Sequence, residues 1–381
     1  MKTRLQHLVL LVFVIGSRAG FVAAAQVPTL EPLGDVTLLS GSPLHIPLDG
    51  FEPGGQALSF TATSNSELVS TFITKGNRSM RITVAGFGDM VFELFENRAP
   101  RVTRRIARLA ESGFYNGVIF HRVIDNFVIQ GGDPTGTGAG GSTLGLFDDQ
   151  FHVDLQHNRT GFLSMAKTDD DTNDSQFFIT EGPSRHLDFN HSIFGLLVEG
   201  ELVRDAISGV PVGTGERPIT DVVMESVRIF KDNQNAVLML STPEGTSGQA
   251  TVTVTVTSPA GAQISRTFLV TVSPDTVDSD PFLADIPPVT TKVDTPVTFQ
   301  LRAIDVEGDA AFFLDEAGLD SNGLPVPARA HADLDYTVDF DTGSVTVTPR
   351  NGLQGVHLIT VATARFVTAV DSQVVPITIE P

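Results

Sequence analysis

The sequence contains no cysteine, no tryptophan and only 2 tyrosines in 381 residues. Without cysteine the chain has neither a disulfide framework nor thiolate chemistry, although many exported bacterial proteins share this lack. Basic residues are scarce, since 25 lysines and arginines stand against 45 aspartates and glutamates and give a net charge of −20. Binding to nucleic acids requires a basic surface, so we expect no nucleic-acid partner.

Long hydrophobic runs are lacking beyond the N-terminus, so we expect no membrane span. At the N-terminus, Lys2 and Arg4 precede the apolar run Leu8–Ile15, and alanines at 23–25 form a small-residue cleavage site. This pattern is typical of a secretory signal peptide at residues 1–25, and the apolar run is too short to cross a bilayer. We therefore expect an exported protein in the periplasm, in the extracellular space or on the cell surface.

The pattern of apolar residues divides the chain into segments of two kinds. Residues 26–78, 235–274 and 281–381 contain short apolar strands separated by Gly, Pro and Asn, as in β-sandwiches. Residues 79–231 differ, because APRVTRRIARLAESG places apolar residues at helical spacing between Pro100 and Gly113. A second short helix is predicted at 200–208, with Phe-, Val- and Ile-rich strands between the two helices.

An internal repeat suggests how these segments combine. LADIPPVTTKVDTPVTFQL (283–301) resembles LGDVTLLSGSPLHIPL (33–48), and VTVTPRNGLQGVHLITVATA (345–364) resembles VLMLSTPEGTSGQATVTVTV (237–256). The matching halves are continuous in 281–381 but separated by 79–231 in the first copy. We predict one β-sandwich made of 26–78 and 235–274, interrupted by an inserted domain, followed by an Ig-like or cadherin-like sandwich. Independent small modules are the alternative, but each flank would bury little core alone.

The segment FHRVIDNFVIQGGD (120–133) carries a permanently charged residue among apolar ones. Strict alternation predicts a single half-buried strand, with Arg122 on one side and His121 on the other. No obvious acid-base partner for the arginine stands beside it in the sequence.

Four motifs then follow one another in order: FHRVIDNFVIQGGD, LSMA, SQFFIT and LDFNHSIFG. They resemble the successive signatures of cyclophilins, which are peptidyl-prolyl cis-trans isomerases, and MVFELFENRAP and SGFYNGVIFHRV upstream are similar too. The resemblance covers about 79–231 and implies a closed antiparallel barrel of eight strands capped by two helices. The predicted fold class is therefore mainly β, with this barrel and two β-sandwich domains.

The resemblance also implies site residues for rotation about an X-Pro bond, which breaks no bond and needs no cofactor. The implied catalytic residues are Arg122, Gln130, Phe178 and His191. The implied substrate-binding residues are His121, Phe127, Val128, Ala166, Lys167, Gln176, His186 and Leu187. Of these, Ala166 and Lys167 are expected to contact the substrate through their backbone. The expected partners are proline-containing polypeptides.

Three positions depart from the family pattern. Val128 stands where many members have Met, Lys167 replaces the usual Asn, and His186 stands where cyclosporin-sensitive members have Trp. We expect the isomerase activity to survive these changes, because the catalytic set is intact, and we expect cyclosporin to bind weakly.

Metal sites are not predicted. The acidic run 169–174 lacks the Gly and Glu of a calcium loop and is expected to be a solvated loop. His186 and His191 have no third ligand for zinc in the motif. The acidic turn Asp305–Asp309 suggests an exposed turn, with a weak calcium site as the alternative.

These features predict an exported isomerase that assists the folding of exported proteins. The alternative is a secreted adhesion or scaffold protein that uses the barrel as a module for binding proline-containing peptides. The intact Arg122 favours the enzyme.

Overall fold

A computed structural model describes residues 27–315, 332–365 and 368–381. The predicted signal peptide, residues 1–25, lies outside the described residues. Within them there are two α-helices, and neither is long and apolar enough to cross a membrane.

Six short strands precede the barrel. They are β1 (Thr29–Leu30), β2 (Val36–Leu39), β3 (Leu44–Leu48), β4 (Gly50–Phe51), β5 (Ser59–Ser64) and β6 (Ser70–Ile73).

A closed barrel of eight strands and two helices follows. Its elements are β7 (Ser79–Val84), β8 (Gly88–Leu94), α1 (Pro100–Glu111), β9 (Ile119–Ile124), β10 (Val128–Gly131), β11 (Phe162–Met165), β12 (Phe177–Thr180), β13 (Ile193–Glu199), α2 (Glu201–Ser208) and β14 (Val222–Phe230). The strand order is β10-β12-β11-β13-β8-β7-β14-β9, every pair is antiparallel, and β9 closes the barrel on β10. Short 3₁₀ turns lie at Arg185–Leu187 and Thr214–Glu216. This architecture confirms the predicted fold class.

Helix α1 shows why the local sequence folds as it does. Pro100 occupies the first turn, where a missing N–H costs nothing, and Val102, Ile106 and Leu109 are buried along one face that packs on β14. The chain leaves the helix through Gly113 at φ +77°, a left-handed conformation that glycine adopts without strain.

Three strands after the barrel pair with those before it. These strands are β15 (Ala236–Ser241), β16 (Gly248–Thr257) and β17 (Gln263–Ser273). One sheet has the order β3-β15-β6 and the other β2-β17-β16-β5, with β2 and β17 parallel. Each sheet therefore contains strands from both sides of the barrel, and their buried faces share one apolar core.

The C-terminal segment repeats this arrangement in one continuous stretch. Its strands are β18 (Phe282–Leu283), β19 (Val289–Lys292), β20 (Val297–Gln300), β21 (Ala303–Ile304), β22 (Phe312–Asp315), β23 (Leu334–Val338), β24 (Ser344–Pro349), β25 (Gly355–Arg365) and β26 (Thr368–Glu380). The sheets β20-β24-β23 and β19-β26-β25-β22 match the two earlier sheets in strand order, and β19 and β26 form the corresponding parallel pair.

The prediction of one strand through 120–133 is wrong. Strand β9 ends at Ile124, and β10 begins at Val128 after a tight turn in which Asn126 has φ +60°. Asparagine tolerates this left-handed conformation, so the Asp-Asn pair turns the chain where alternation alone predicts continuity. The resulting hairpin places Gln130 directly opposite Arg122.

His45 on β3 lies at the contact between the first pair of sheets and the barrel. Its fully buried ring lies 5.1 Å from the ring of Phe95 and 6.0 Å from that of Phe162. Neither ring nitrogen has a hydrogen-bond partner within the described residues. Burial, with smaller contributions from Arg98 and Arg159, lowers the pKa of His45 from 6.5 to about 3.

This buried histidine predicts an acid-sensitive interface. Below pH 6.5 the unfolded chain binds a proton at His45 that the folded chain accepts only near pH 3. As far as His45 contributes, the free energy of unfolding is therefore highest above pH 6.5. It falls as the pH is lowered towards 3, by up to about 1.4 kcal/mol per pH unit.

We expect His45→Leu to flatten the fall in the free energy of unfolding between pH 7 and pH 4, as measured by urea titration. His357→Leu, remote from this interface, controls for the loss of a histidine. An equally steep fall in the His45 variant would contradict the prediction.

Candidate active site

Three of the four predicted catalytic residues lie in one row across the barrel. Arg122 on β9 pairs with Gln130 on β10, which pairs in turn with Phe178 on β12. Residues directly opposite one another in antiparallel strands project to the same face. Arg122 Nη1 donates a hydrogen bond to Gln130 Oε1 at 3.3 Å, so the strand pairing itself brings these two side chains together.

Gln176 extends this polar contact to a neighbouring loop. Gln130 Nε2 donates to Gln176 Oε1 at 3.1 Å, and Gln176 Nε2 donates to the carbonyls of Gly138 and Gly140 at 3.0 and 2.9 Å. Both glutamines thus have fixed orientations, and Gln130 can hold the guanidinium.

Asp133 shapes the loop that receives Gln176. Although burial opposes its ionisation, hydrogen bonds from the N–H groups of Thr135, Gly140 and Gly138 and from the Thr135 hydroxyl lower the pKa of this carboxyl. Asp133 is therefore an ionised centre that folds 133–140 around itself. The site prediction omits it, although it ends the first motif.

Apolar and aromatic side chains adjoin the polar row, which consists of the hydrogen-bonded side chains of Arg122, Gln130 and Gln176. The Phe178 ring packs edge-on against His191 with ring centroids 5.6 Å apart, and Phe127 stacks on His186 at 5.8 Å. Val128 is buried on β10, where it pairs with Thr180, and Leu187 is half-buried in the 3₁₀ turn. Phe178 and His191 thus form an aromatic pair beside Gln130, and Phe127 and His186 form a second one.

His191 is held as a neutral side chain. Its Nδ1–H donates to the carbonyl of Met165 at 2.8 Å. Burial lowers the pKa of His191 to about 4, although this hydrogen bond opposes the shift, and the charge of Lys167 lowers the pKa further. The ring is therefore uncharged near neutral pH, as suits a wall that contacts an apolar ligand.

His157 supports this wall and is absent from the predicted set. Its buried ring stacks on Phe178 with centroids 6.2 Å apart, and it bonds to Asp188 at 3.1 Å and to Ser164 at 3.0 Å. No motif marks this role, because His157 stands alone in a stretch of ordinary composition.

His121 has no defined polar role in the structure. It is buried, and neither ring nitrogen has a hydrogen-bond partner among the described residues. Burial lowers its pKa, Asp133 opposes this, and Arg217 and Arg122 add to the lowering. The neutral ring packs beside Gly138 at the base of the loop 133–140.

The side chain of Lys167, whose backbone is expected to contact the substrate, is engaged by carboxylates of this chain. Its buried ammonium pairs with Asp149 and lies 3.4 Å from Asp170. Asp149, Asp170 and Asp171 have ligand oxygens within 4.8 Å of one another, so this lysine supplies the positive charge that the carboxylates need. The backbone of Ala166 pairs with Gln176, which keeps this segment beside the site.

The expectation that 169–174 is a solvated loop holds only in part, because Asp169 is exposed but Asn173 is buried and the C-terminal segment contacts the run. Ser372 of the C-terminal segment donates to Asp170 Oδ2 from its N–H at 3.0 Å and from its hydroxyl at 2.7 Å. The same hydroxyl lies 3.1 Å from Asp171 Oδ2. Composition suggests full exposure, but contact with another part of the chain covers part of these carboxylates.

A cavity of about 270 Å³ lies beside the glutamines. Its lining includes Gln130, Gly138, Leu146, Ala166, Lys167 and Gln176. It adjoins Phe178 through Gln130, which lies directly opposite Phe178, so a ligand chain can continue from this aromatic side chain into the cavity.

Glu216 is the third residue that the site prediction omits. Arg122 Nε donates to Glu216 Oε2 at 3.0 Å, although the two residues are 94 positions apart. The carboxylate lies in a loop whose sequence carries no motif. The site therefore places the N–H donors of Arg122 next to an apolar wall. The Arg122 side chain itself is held on two sides, by Gln130 and by Glu216.

This arrangement agrees with comparisons to known proteins. Residues 79–229 match the family of cyclophilin type peptidyl-prolyl cis-trans isomerase/CLD. The isomerase ppi1 of Schizosaccharomyces pombe is 48% identical over 146 residues, which cover 38% of this chain and 91% of that protein. The bovine peptidyl-prolyl cis-trans isomerase-like 1 is 44% identical over 137 residues, covering 35% and 82%.

A solved cyclophilin-type isomerase of Cryptosporidium parvum is 37% identical with a TM-score of 0.40, and the match covers 41% of this chain and 99% of that chain. The long, strongly identical matches to curated isomerases, together with the barrel and its aligned polar row, lead to one conclusion. The chain belongs to the cyclophilin family and is a peptidyl-prolyl cis-trans isomerase.

Proposed function

We propose that Arg122 is the catalytic donor for rotation about the X-Pro bond. Amide resonance sets a rotation barrier of about 18–20 kcal/mol. In the twisted state the proline nitrogen becomes pyramidal and gains a lone pair, which a directed N–H donor stabilises over the planar state. The observation that carries this proposal is the guanidinium held by Gln130 beside an aromatic wall.

Phe127, Val128, Phe178, Leu187 and His191 are proposed to receive the proline ring. A pyrrolidine ring presents few polar atoms, so an apolar wall with a neutral histidine matches it. Gln130 and Gln176 are proposed to bind the peptide backbone, with the backbone of 166–167 opposite. The substrates are accordingly proline-containing polypeptides.

Replacing Arg122 tests the catalytic role. Arg122→Ala is expected to lower kcat/KM by roughly 10²- to 10³-fold, because it removes a preorganised donor that acts on the twisted amide. Arg122→Lys should restore little, since an ammonium lacks the planar fork. The measurement is a protease-coupled assay on an Ala-Pro peptide.

The fold should survive both substitutions, because the Arg122 side chain is 36% exposed, and thermal melting checks this. A wild-type rate in Arg122→Ala would refute the mechanism. Peptide binding without any effect of Arg122 on turnover would instead favour a scaffold that binds proline-containing peptides.

We further propose that the enzyme acts on exported proteins and assists their folding. The signal-peptide pattern at 1–25 supports export. The flanking sheets are proposed to be Ig-like or cadherin-like sandwiches, with the barrel inserted into the first one. The pairing of β15–β17 with β2, β3, β5 and β6 supports this domain organisation.

The insertion predicts that the barrel can be removed. Ser79 and Phe230 pair in neighbouring strands, so both ends of the barrel lie side by side. Joining 26–78 to 235–274 through a short Gly/Ser linker should leave a folded β domain, because the two flanks complete each other's sheets. The dispersion of NMR chemical shifts in the joined chain is the measurement.

Each flank alone serves as the control and is expected to be disordered. A dispersed spectrum from a single flank, or a disordered one from the joined chain, would count in favour of independent modules. The barrel alone should also fold and keep its activity.

The residue at position 186 predicts weak binding of cyclosporin. Histidine supplies less apolar surface than tryptophan and no indole donor at that place. His186 stacks on Phe127, so a tryptophan there would adjoin the same wall. His186→Trp should tighten cyclosporin binding by about tenfold, the effect of one added hydrogen bond with its apolar contact.

Calorimetric titration measures this change, with His357→Trp as the control for an added indole elsewhere. An unchanged dissociation constant in His186→Trp would reject the explanation.

A further inference from the structure

Arg122 is fixed from two directions. Its Nε–H donates to Glu216 Oε2 at 3.0 Å, and Nη1–H donates to Gln130 Oε1 at 3.3 Å. A guanidinium is planar and its five N–H groups point in set directions. Contacts at Nε and Nη1 therefore set both the plane and the rotation of the group. Nη2 makes no hydrogen bond within the described part of the chain and is available to a ligand.

The backbone that carries Glu216 is strained. Gly215 has φ +71° and Glu216 has φ +59°, so two successive residues adopt left-handed conformations. Glycine accepts this without cost, but a side chain with a Cβ does not. The backbone conformation at position 216 thus favours glycine, but the residue there is glutamate.

The surrounding loop is anchored, which keeps the carboxylate in place. Arg217 is extended, as the residue before Pro218 must be, with φ −77° and ψ 130°. Its guanidinium bonds to the carbonyl of Gly136 and pairs with Asp221 at 2.9 Å. The loop 213–217 is therefore attached to 133–140, the same loop that holds Gln176.

Stability alone does not account for this arrangement. The side chains of Arg122 and Glu216 are 36% and 49% exposed, and ion pairs with such exposure contribute little to stability. The left-handed backbone at Glu216 opposes folding. A strained non-glycine residue that makes a specific contact with a reactive side chain is a feature of functional sites.

We propose that Glu216 is a positioning residue for the isomerase reaction, whose carboxylate orients the Arg122 guanidinium before the substrate binds. Of these two residues only Arg122 touches the substrate, and Glu216 acts through it. A long side chain that is already oriented loses less freedom on reaching the transition state, so the effect falls on turnover. The inference rests on the proposed catalytic role of Arg122.

The test compares Glu216→Gln, Glu216→Ala and Glu216→Gly in the full chain with the wild type. We expect kcat to fall by about tenfold in the Ala and Gly variants and by less in Gln, which keeps an acceptor oxygen. KM on an Ala-Pro peptide should stay within about twofold, because the apolar wall is untouched. Glu225→Gln, an exposed glutamate on β14, is the matched control and should leave both constants unchanged.

The Gly variant separates strain from function. It relieves the left-handed backbone and should melt no lower than the Ala variant, yet it should be equally slow. A merely structural role for Glu216 predicts the opposite, that activity follows the melting temperature across the three variants.

A double-mutant cycle with Arg122→Ala completes the test. If Glu216 acts through Arg122, Glu216→Ala should change the rate of the Arg122→Ala protein by less than about twofold. A full additional loss in that background would overturn the proposal, as would a wild-type kcat in Glu216→Ala. An increased kcat would show that the carboxylate restrains the arginine and would also overturn it. A failure of the proposed function is distinct, because Arg122→Ala alone would then keep the wild-type rate.

Discussion

The orientation of one guanidinium is the constraint on which the rest of the site depends. Arginine is always charged, and its side chain must be held in place while the N–H groups that face the substrate stay free of other hydrogen bonds. The barrel meets this need with a neutral partner, Gln130, opposite Arg122 on the adjacent strand, and with Glu216 at Nε. Gln176 in turn fixes Gln130 and ends on the loop organised by Asp133. Strand register thus sets the contact between Arg122 and Gln130. The loops 213–217 and 133–140, outside the sheet, supply the other contacts.

The substrate side of the site also involves other parts of the chain. Lys167 lines the cavity beside Gln130, yet its ammonium turns to Asp149 and Asp170. Asp170 accepts two hydrogen bonds from Ser372 in the C-terminal sheet. Burial raises the pKa of Asp171 to about 7 and that of Asp371 well above its usual range, with neighbouring carboxylates adding to both shifts. The packing of the C-terminal segment on the barrel therefore partly covers an acidic cluster that a single lysine partly neutralises.

Sequence reasoning identified the barrel, its helices and the polar row, because each depends on local patterns or on motifs within a few residues. It failed at the turn after Ile124, where Asp125 and Asn126 interrupt an apparently continuous strand. It also omitted Glu216 and His157, whose roles come only from contacts between distant segments. The acidic run 169–174 shows the same limit, because composition describes how a loop would behave in water and not what packs on it.

The two pairs of sheets explain how a chain accommodates a barrel between strands of one sheet. In the C-terminal copy, β23 and β24 are joined by the tight turn 339–343, in which Asp339 accepts hydrogen bonds from Thr342. The corresponding strands β6 and β15 pair in the same way, but the barrel occupies the place of the turn. The N–H of Thr74 still bonds to the carbonyl of Val237, and Ser79 pairs with Phe230 a few residues beyond. Because the two strands leave the sheet side by side and enter the barrel side by side, neither fold has to change its register to contain the other.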